Sequence, residues 1–181
     1  MTSAFVVVSG LPGSGKTTLG RAIAASLRFG ALDKDDFLDA LLVRAGASVT
    51  QRRRELSRES DALFREAALA ADRAVLISFW HLNGMAADSG TPTDWLHGTR
   101  HRLVHVHCEC APLVAAERFL NRQRHAGHGD NRRTLPELHA EFGMLSSLEL
   151  PALGPLLRVN TNAGVEPGAL VEQIRAQLAL A

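Results

Sequence analysis

Eight residues, Gly10-Leu11-Pro12-Gly13-Ser14-Gly15-Lys16-Thr17, constrain this chain more than any other feature. They match G-x-x-x-x-G-K-[ST] at every fixed position. Their setting fits as well. Residues 4–8 are a short, continuous, β-branched run suited to a buried strand of a parallel sheet. Residues 16–28 carry Leu19, Ile23 and Leu27 at helical spacing. Between strand and helix, Gly10, Gly13 and Gly15 let successive N–H groups turn inward around phosphate oxygens. The helix adds partial positive charge at its N-terminus. Lys16 supplies a compact ammonium for β- and γ-phosphates, and Thr17 a hydroxyl for Mg²⁺. The whole run from Gly10 to Thr18 is the expected nucleoside triphosphate site.

The rest of the chain alternates strands and helices. Strands are expected at 29–32, 74–78, 103–108 and 156–159. Helices are expected at 36–45, 50–72 with Thr50 as cap, 112–123, 134–150 and 167–180. Residues 81–100 read as irregular apart from a short helix after Pro92. Thr134-Leu135-Pro136-Glu137 has the spacing of a capping box with an early proline. This alternation predicts a three-layer α/β fold around a five-stranded, mainly parallel sheet. With 181 residues, the chain suits one domain spanning 1–181.

Composition narrows the function classes. A 46% hydrophobic content excludes a disordered chain. Twenty Lys+Arg against 19 Asp+Glu give a net charge of +1, with no global pull toward nucleic acid or an anionic membrane. No run approaches the ~18 apolar residues that cross a bilayer, and the first residues lack a signal sequence. Cys108 and Cys110 form no disulfide framework, so a cytoplasmic location is expected. The chain is expected to be a monomer or a homodimer. Eighteen of the twenty basic residues are arginine; the two lysines are Lys16 and Lys34. Guanine selection would need Asn-Lys-x-Asp, which does not occur. A motor or AAA-type ATPase would need more chain and an acidic pair closing a strand. A small phosphotransferase is the favoured reading.

Two further clusters belong beside the phosphate loop. Asp33-Lys34-Asp35-Asp36 follows the second strand and so faces the crevice at the carboxyl ends of the strands. A carboxylate there can take a proton from an acceptor hydroxyl, or hold Mg²⁺ through water. The competing reading is that Asp35 or Asp36 caps the next helix. Arg118 and Arg122 lie four apart on one helical face, and with Arg124 they can converge on phosphates. The competing reading is a solvated helix end.

The phosphate loop followed by Leu-Asp-Lys-Asp-Asp-Phe-Leu resembles the small P-loop kinases grouped around chloramphenicol phosphotransferase and the kinase domain of polynucleotide kinase. Zeta toxins, gluconate kinases and adenylylsulfate kinases are more distant. The resemblance implies an ATP- and Mg²⁺-dependent kinase that phosphorylates a hydroxyl of a small molecule, with Asp35 as general base. It also implies an arginine-bearing lid at about 118–133, with Arg122 first in rank, then Arg124 and Arg118. Arg132 and Arg133 fall to surface or hinge. The loop at 161–165 would border the adenine. Where many such kinases place an acid after the third strand, this chain has Ser78.

Several residues carry two readings each. Phe79, Trp80 and His81 form either an aromatic wall for the acceptor or part of the core. Asp33 is a candidate for acceptor or Mg²⁺ binding, and Arg52, in the run Arg52-Arg53-Arg54, for an anionic acceptor or a solvated helix face. His105, His107, Cys108 and Cys110 match no standard zinc spacing; strand alternation puts both histidines on one face and Cys108 on the other. Two rival functions stand against a small-molecule kinase. One is a 5′-hydroxyl nucleic-acid kinase, disfavoured by near-zero charge and the absence of tyrosine. The other is a non-catalytic ATP-binding regulatory module.

Overall fold

The computed structural model describes residues 3–46, 49–122 and 133–179. Strand β1 (Ala4–Gly10) is buried along its whole length, as its β-branched run requires. It pairs in parallel with β3 (Arg73–Ile77) on one side and β4 (Arg102–Glu109) on the other. β2 (Gly30–Asp33) and β5 (Leu156–Asn160) complete the sheet, in parallel register and in the order β2-β3-β1-β4-β5. The sheet is five-stranded and parallel throughout, so the mainly parallel expectation is met in a stronger form.

Each face of the sheet has its own core. Val6, Val8, Val104 and Val106 pack against α1 (Lys16–Leu27) and α7 (Gly168–Leu178) through Ile23 and Ile174. Phe5, Val7 and Leu76 pack on the other face against Phe64 and Ala68 of α3 (Val49–Ala70), with Trp80 and Leu96. The alternation along β1 generates this division, since successive side chains point to opposite faces. Helix α2 (Lys34–Ala45) joins α3 through Leu38, Leu41, Leu42 and Leu56. The short α4 (Asp94–His97) supplies Leu96, as expected after Pro92.

Above the carboxyl ends of β1 and β4, α5 (Pro112–Asn121) and α6 (Leu135–Ser146) enclose Leu11 with Ala115, Phe119, Leu138 and Phe142. The capping box at Thr134 is formed, its main-chain N–H donating to Glu137 at 2.9 Å. Two expected boundaries move. Helix α3 begins at Val49, which places Thr50 inside its first turn rather than before it, and α6 stops at Ser146 instead of running to 150. Among the described residues, no helix is long and apolar enough to cross a membrane.

Candidate active site

The turn between β1 and α1 closes on itself before α1 starts. The main-chain N–H of Ser14 donates to the Leu11 carbonyl at 3.0 Å, and Gly15, at φ 85°, stands at the N-cap without any side-chain cap. The first turn of α1 holds no acidic residue, so its main-chain N–H groups are left for an anion. The buried Ser14 hydroxyl has no partner either. Gly13 shows why a side chain is forbidden here: at φ 82°, a Cβ would lie 2.2 Å from the Ala115 carbonyl oxygen. The loop is thus a cradle pressed against α5, with orphaned donors lining it. A polyphosphate fits this arrangement.

Lys16 is buried at 8% exposure and its ammonium donates to the Leu11 carbonyl at 3.3 Å. Burial holds its pKa below the usual lysine range, opposed first by Asp35 and then by Asp33. Thr17 donates its hydroxyl to Asp33 at 2.8 Å. Burial raises the Asp33 pKa, against the lowering effect of that hydroxyl. Thr17 and Asp33 are hard oxygen donors side by side, the set that Mg²⁺ prefers. Among the described residues, no group of three or more His, Cys, Asp or Glu is placed to hold a metal ion. Cys108 is buried, which pushes its thiol up to about 12, far from a thiolate ligand.

The acidic run divides its labour. The sequence reading gave the helix cap to Asp35 or Asp36, but the cap is Asp33, which accepts the main-chain N–H of Asp35 at 3.1 Å. The reason is that α2 starts at Lys34, two residues earlier than expected. Asp36 turns outward to an exposed ion pair with Arg21 at 2.8 Å. Asp35 is half-buried and is the carboxylate with the largest favourable effect on the Lys16 ammonium.

Lys34 is tied down as well. Its ammonium lies 3.4 Å from Asp61 and donates to the Ser57 hydroxyl at 3.1 Å, both on α3. Asp61 also accepts from Thr91 at 3.0 Å, and the Thr91 and Ser78 hydroxyls are 2.6 Å apart. An acid therefore does stand near the end of β3, brought by α3. Sequence reasoning missed Asp61, because one aspartate in a charged helix gives no local signal.

The remaining candidates scatter. The Arg122 guanidinium lies over the Phe119 ring at 4.0 Å and is near enough to depress the Lys16 pKa further. Arg118 points elsewhere: its two terminal nitrogens donate to the carbonyls of Thr161 and Asn162, each at 2.7 Å. It fastens the loop after β5 to α5. Arg124 and Arg132 lie outside the described residues, and Arg133 pairs with Glu141. Trp80 is 1% exposed and donates its indole N–H to the Val8 carbonyl at 3.0 Å, so the core reading holds for its indole. His81 engages the Ser89 carbonyl through Nδ1 at 2.7 Å. Arg52 is exposed and pairs with Glu55 at 3.1 Å.

Known proteins agree with this geometry. A family model described as an AAA domain matches residues 5–145. The shikimate kinase of Mycobacterium marinum is 34% identical over 179 residues, covering 95% of this chain and 88% of the relative. That of Mycobacterium ulcerans is 32% identical with the same coverage. Among solved structures, a putative kinase from Chloroflexus aurantiacus superposes with TM-score 0.75 at 24% identity, covering 98% of this chain and 97% of the other. The shikimate kinase of Bacteroides thetaiotaomicron superposes with TM-score 0.64 at 19% identity, covering 99% and 100%. These two structures share the fold. The AAA description names a class disfavoured above on length, but the full-length relatives are kinases.

Proposed function

We propose, on the premise that the chain belongs to the AAA domain family and is an ATP-dependent kinase for a small-molecule hydroxyl, that Asp35 is the base of the transfer. The observation that carries this is the placement of the acidic run around Lys16. Asp33 accepts from Thr17 and caps α2, Asp36 pairs with Arg21, and Asp35 is the carboxylate that acts most strongly on the Lys16 ammonium.

In this reading the triphosphate lies along the cradle from Gly10 to Thr18, with Lys16 on the β- and γ-phosphates. Thr17 and Asp33 would hold Mg²⁺, which when bound supplies positive charge to the phosphate oxygens. The Asp35 carboxylate takes the proton of the acceptor hydroxyl as its oxygen forms a bond to the γ-phosphorus. The bond from that phosphorus to the β,γ-bridging oxygen breaks, and ADP leaves with the electron pair. Arg122 covers the transferred group, a bidentate donor where charge develops. Arg118 positions the loop at 161–165 against α5 and touches no phosphate.

The acceptor is found by incubating the protein with ATP, Mg²⁺ and a panel holding shikimate, gluconate, simple sugars, chloramphenicol and a 5′-hydroxyl oligonucleotide, with mass-spectrometric detection of phosphate gain. A product on one small molecule is expected. Phosphorylation of the oligonucleotide alone would replace the small-molecule reading with a nucleic-acid kinase.

A further inference from the structure

Strands β1 and β4 run with Val7 opposite His105 and Ser9 opposite His107. Val104, Val106 and Cys108 face the core under α1 and α7, so both histidines point to the opposite side of the sheet. There the Ser9 hydroxyl bridges them, 2.7 Å from Nε2 of His105 and 2.8 Å from Nδ1 of His107. Burial, with help from His107 and Arg158, brings His105 down to about 4, and burial followed by Arg158 lowers His107 as well. Both rings are neutral at physiological pH.

With neutral rings, the proton positions follow from one fixed end. His105 hydrogen-bonds to the backbone of Pro151, which offers a carbonyl acceptor and no N–H. That carbonyl takes the proton on Nδ1, the ring nitrogen of His105 that does not face Ser9. Nε2 of His105 is then an acceptor, and Ser9 donates to it. The one hydroxyl proton is now used, so Ser9 accepts from His107, which carries its proton on Nδ1. Nε2 of His107 is left as a lone-pair acceptor.

His107 lines a cavity of about 520 Å³, within the usual size of small-molecule sites. Phe79, Trp80 and Leu148 give the cavity an apolar wall. Glu109 and Arg158 also line it, paired with each other at 3.0 Å, and Glu149 adds a second carboxylate to the polar wall. The cavity abuts the phosphate loop at Gly10 and Leu11 but lies over β1, β4 and β5, whereas Asp35 follows β2 at the other edge of the sheet. We propose that this cavity is a second ligand site, taking a small molecule that donates a hydroxyl or N–H to Nε2 of His107. It goes beyond the transfer reaction and does not depend on Asp35.

Long-range proton–nitrogen NMR of the wild-type protein tests the network without any variant. Both His105 and His107 are expected as Nδ1–H tautomers at neutral pH; an Nε2–H tautomer or an imidazolium at His107 overturns the proposal. Binding is read from tryptophan emission. The chain has two tryptophans and no tyrosine, so a Trp95→Phe variant reports from Trp80 alone. Cyclohexylmethanol is expected to bind roughly tenfold more tightly than its methyl ether, which cannot donate. Ser9→Ala frees the His107 tautomer and should reduce that preference to less than about twofold. Equal affinity for the two probes, no binding of either at high millimolar concentration, or phosphorylation of cyclohexylmethanol by ATP overturns it.

Discussion

On the β3 side of β1 the chain gathers charge: Lys16, Asp33 and Asp35 around a loop of unpaired donors. On the β4 side it gathers neutral groups: Ser9, His105 and His107 joined by hydrogen bonds, beside an ion pair that cancels itself. The two regions share Gly10 and Leu11 and differ in how their polar atoms are satisfied. The histidine network is closed internally and open at a single acceptor. The phosphate loop is left open, and its desolvated ammonium gains from any polyanion that arrives. An internally satisfied polar cluster specifies a shape, whereas an unsatisfied one specifies a ligand.

The largest expected effect breaks the charged side. Arg122→Ala should lower kcat by about three orders of magnitude, as removal of a phosphate-clamping arginine does elsewhere, with a much smaller change in ATP affinity by calorimetry. Next comes the neutral side. An unfolded histidine takes its proton near 6.5 and folded His105 only near about 4, so between those values the unfolded state binds more protons. Stability present at pH 7 is lost as the pH falls through that window, by about 3 kcal/mol for this one group. Chemical denaturation of wild type and His105→Gln should differ in pH dependence by that amount, with His107, Glu109 and Arg158 as the charged neighbours to account for.

A smaller change sharpens the contrast by probing the scaffold of the charged side. Lys34→Met leaves Asp61 without its cation at a partly buried site, at a cost of roughly 2 kcal/mol in thermal or chemical unfolding. Smallest of all is Arg52→Ala. Among the described residues its ion pair is with exposed Glu55, so stability should move by less than about 0.5 kcal/mol and acceptor KM not at all. A raised KM would return Arg52 to the acceptor site.

Local patterns carried most of the fold. The phosphate loop, the capping box at Thr134 and the buried β1 are each written within ten consecutive residues, where period and turn chemistry act directly. The sheet order and the pairing of β1 with β4 came from long-range contacts that no window contains. Strand alternation put His105 and His107 on one face correctly, but Ser9, 96 positions from His105, was invisible as their bridge. The Lys34–Asp61 pair and the turn of Arg118 toward the loop after β5 were hidden for the same reason. The capping role went to the wrong aspartate through a two-residue boundary shift, since α2 starts at Lys34 and its cap is Asp33. Both lysines are engaged through the ammonium in partly or fully buried sites.

Asp35→Asn tests the central claim most directly, by measuring ATP binding and single-turnover transfer to the acceptor in the same preparation. ATP affinity should stay within about threefold of wild type while transfer falls by roughly two to four orders of magnitude, the range that a general base contributes. Transfer at a near-normal rate with ATP bound would contradict the assignment of Asp35 as the base.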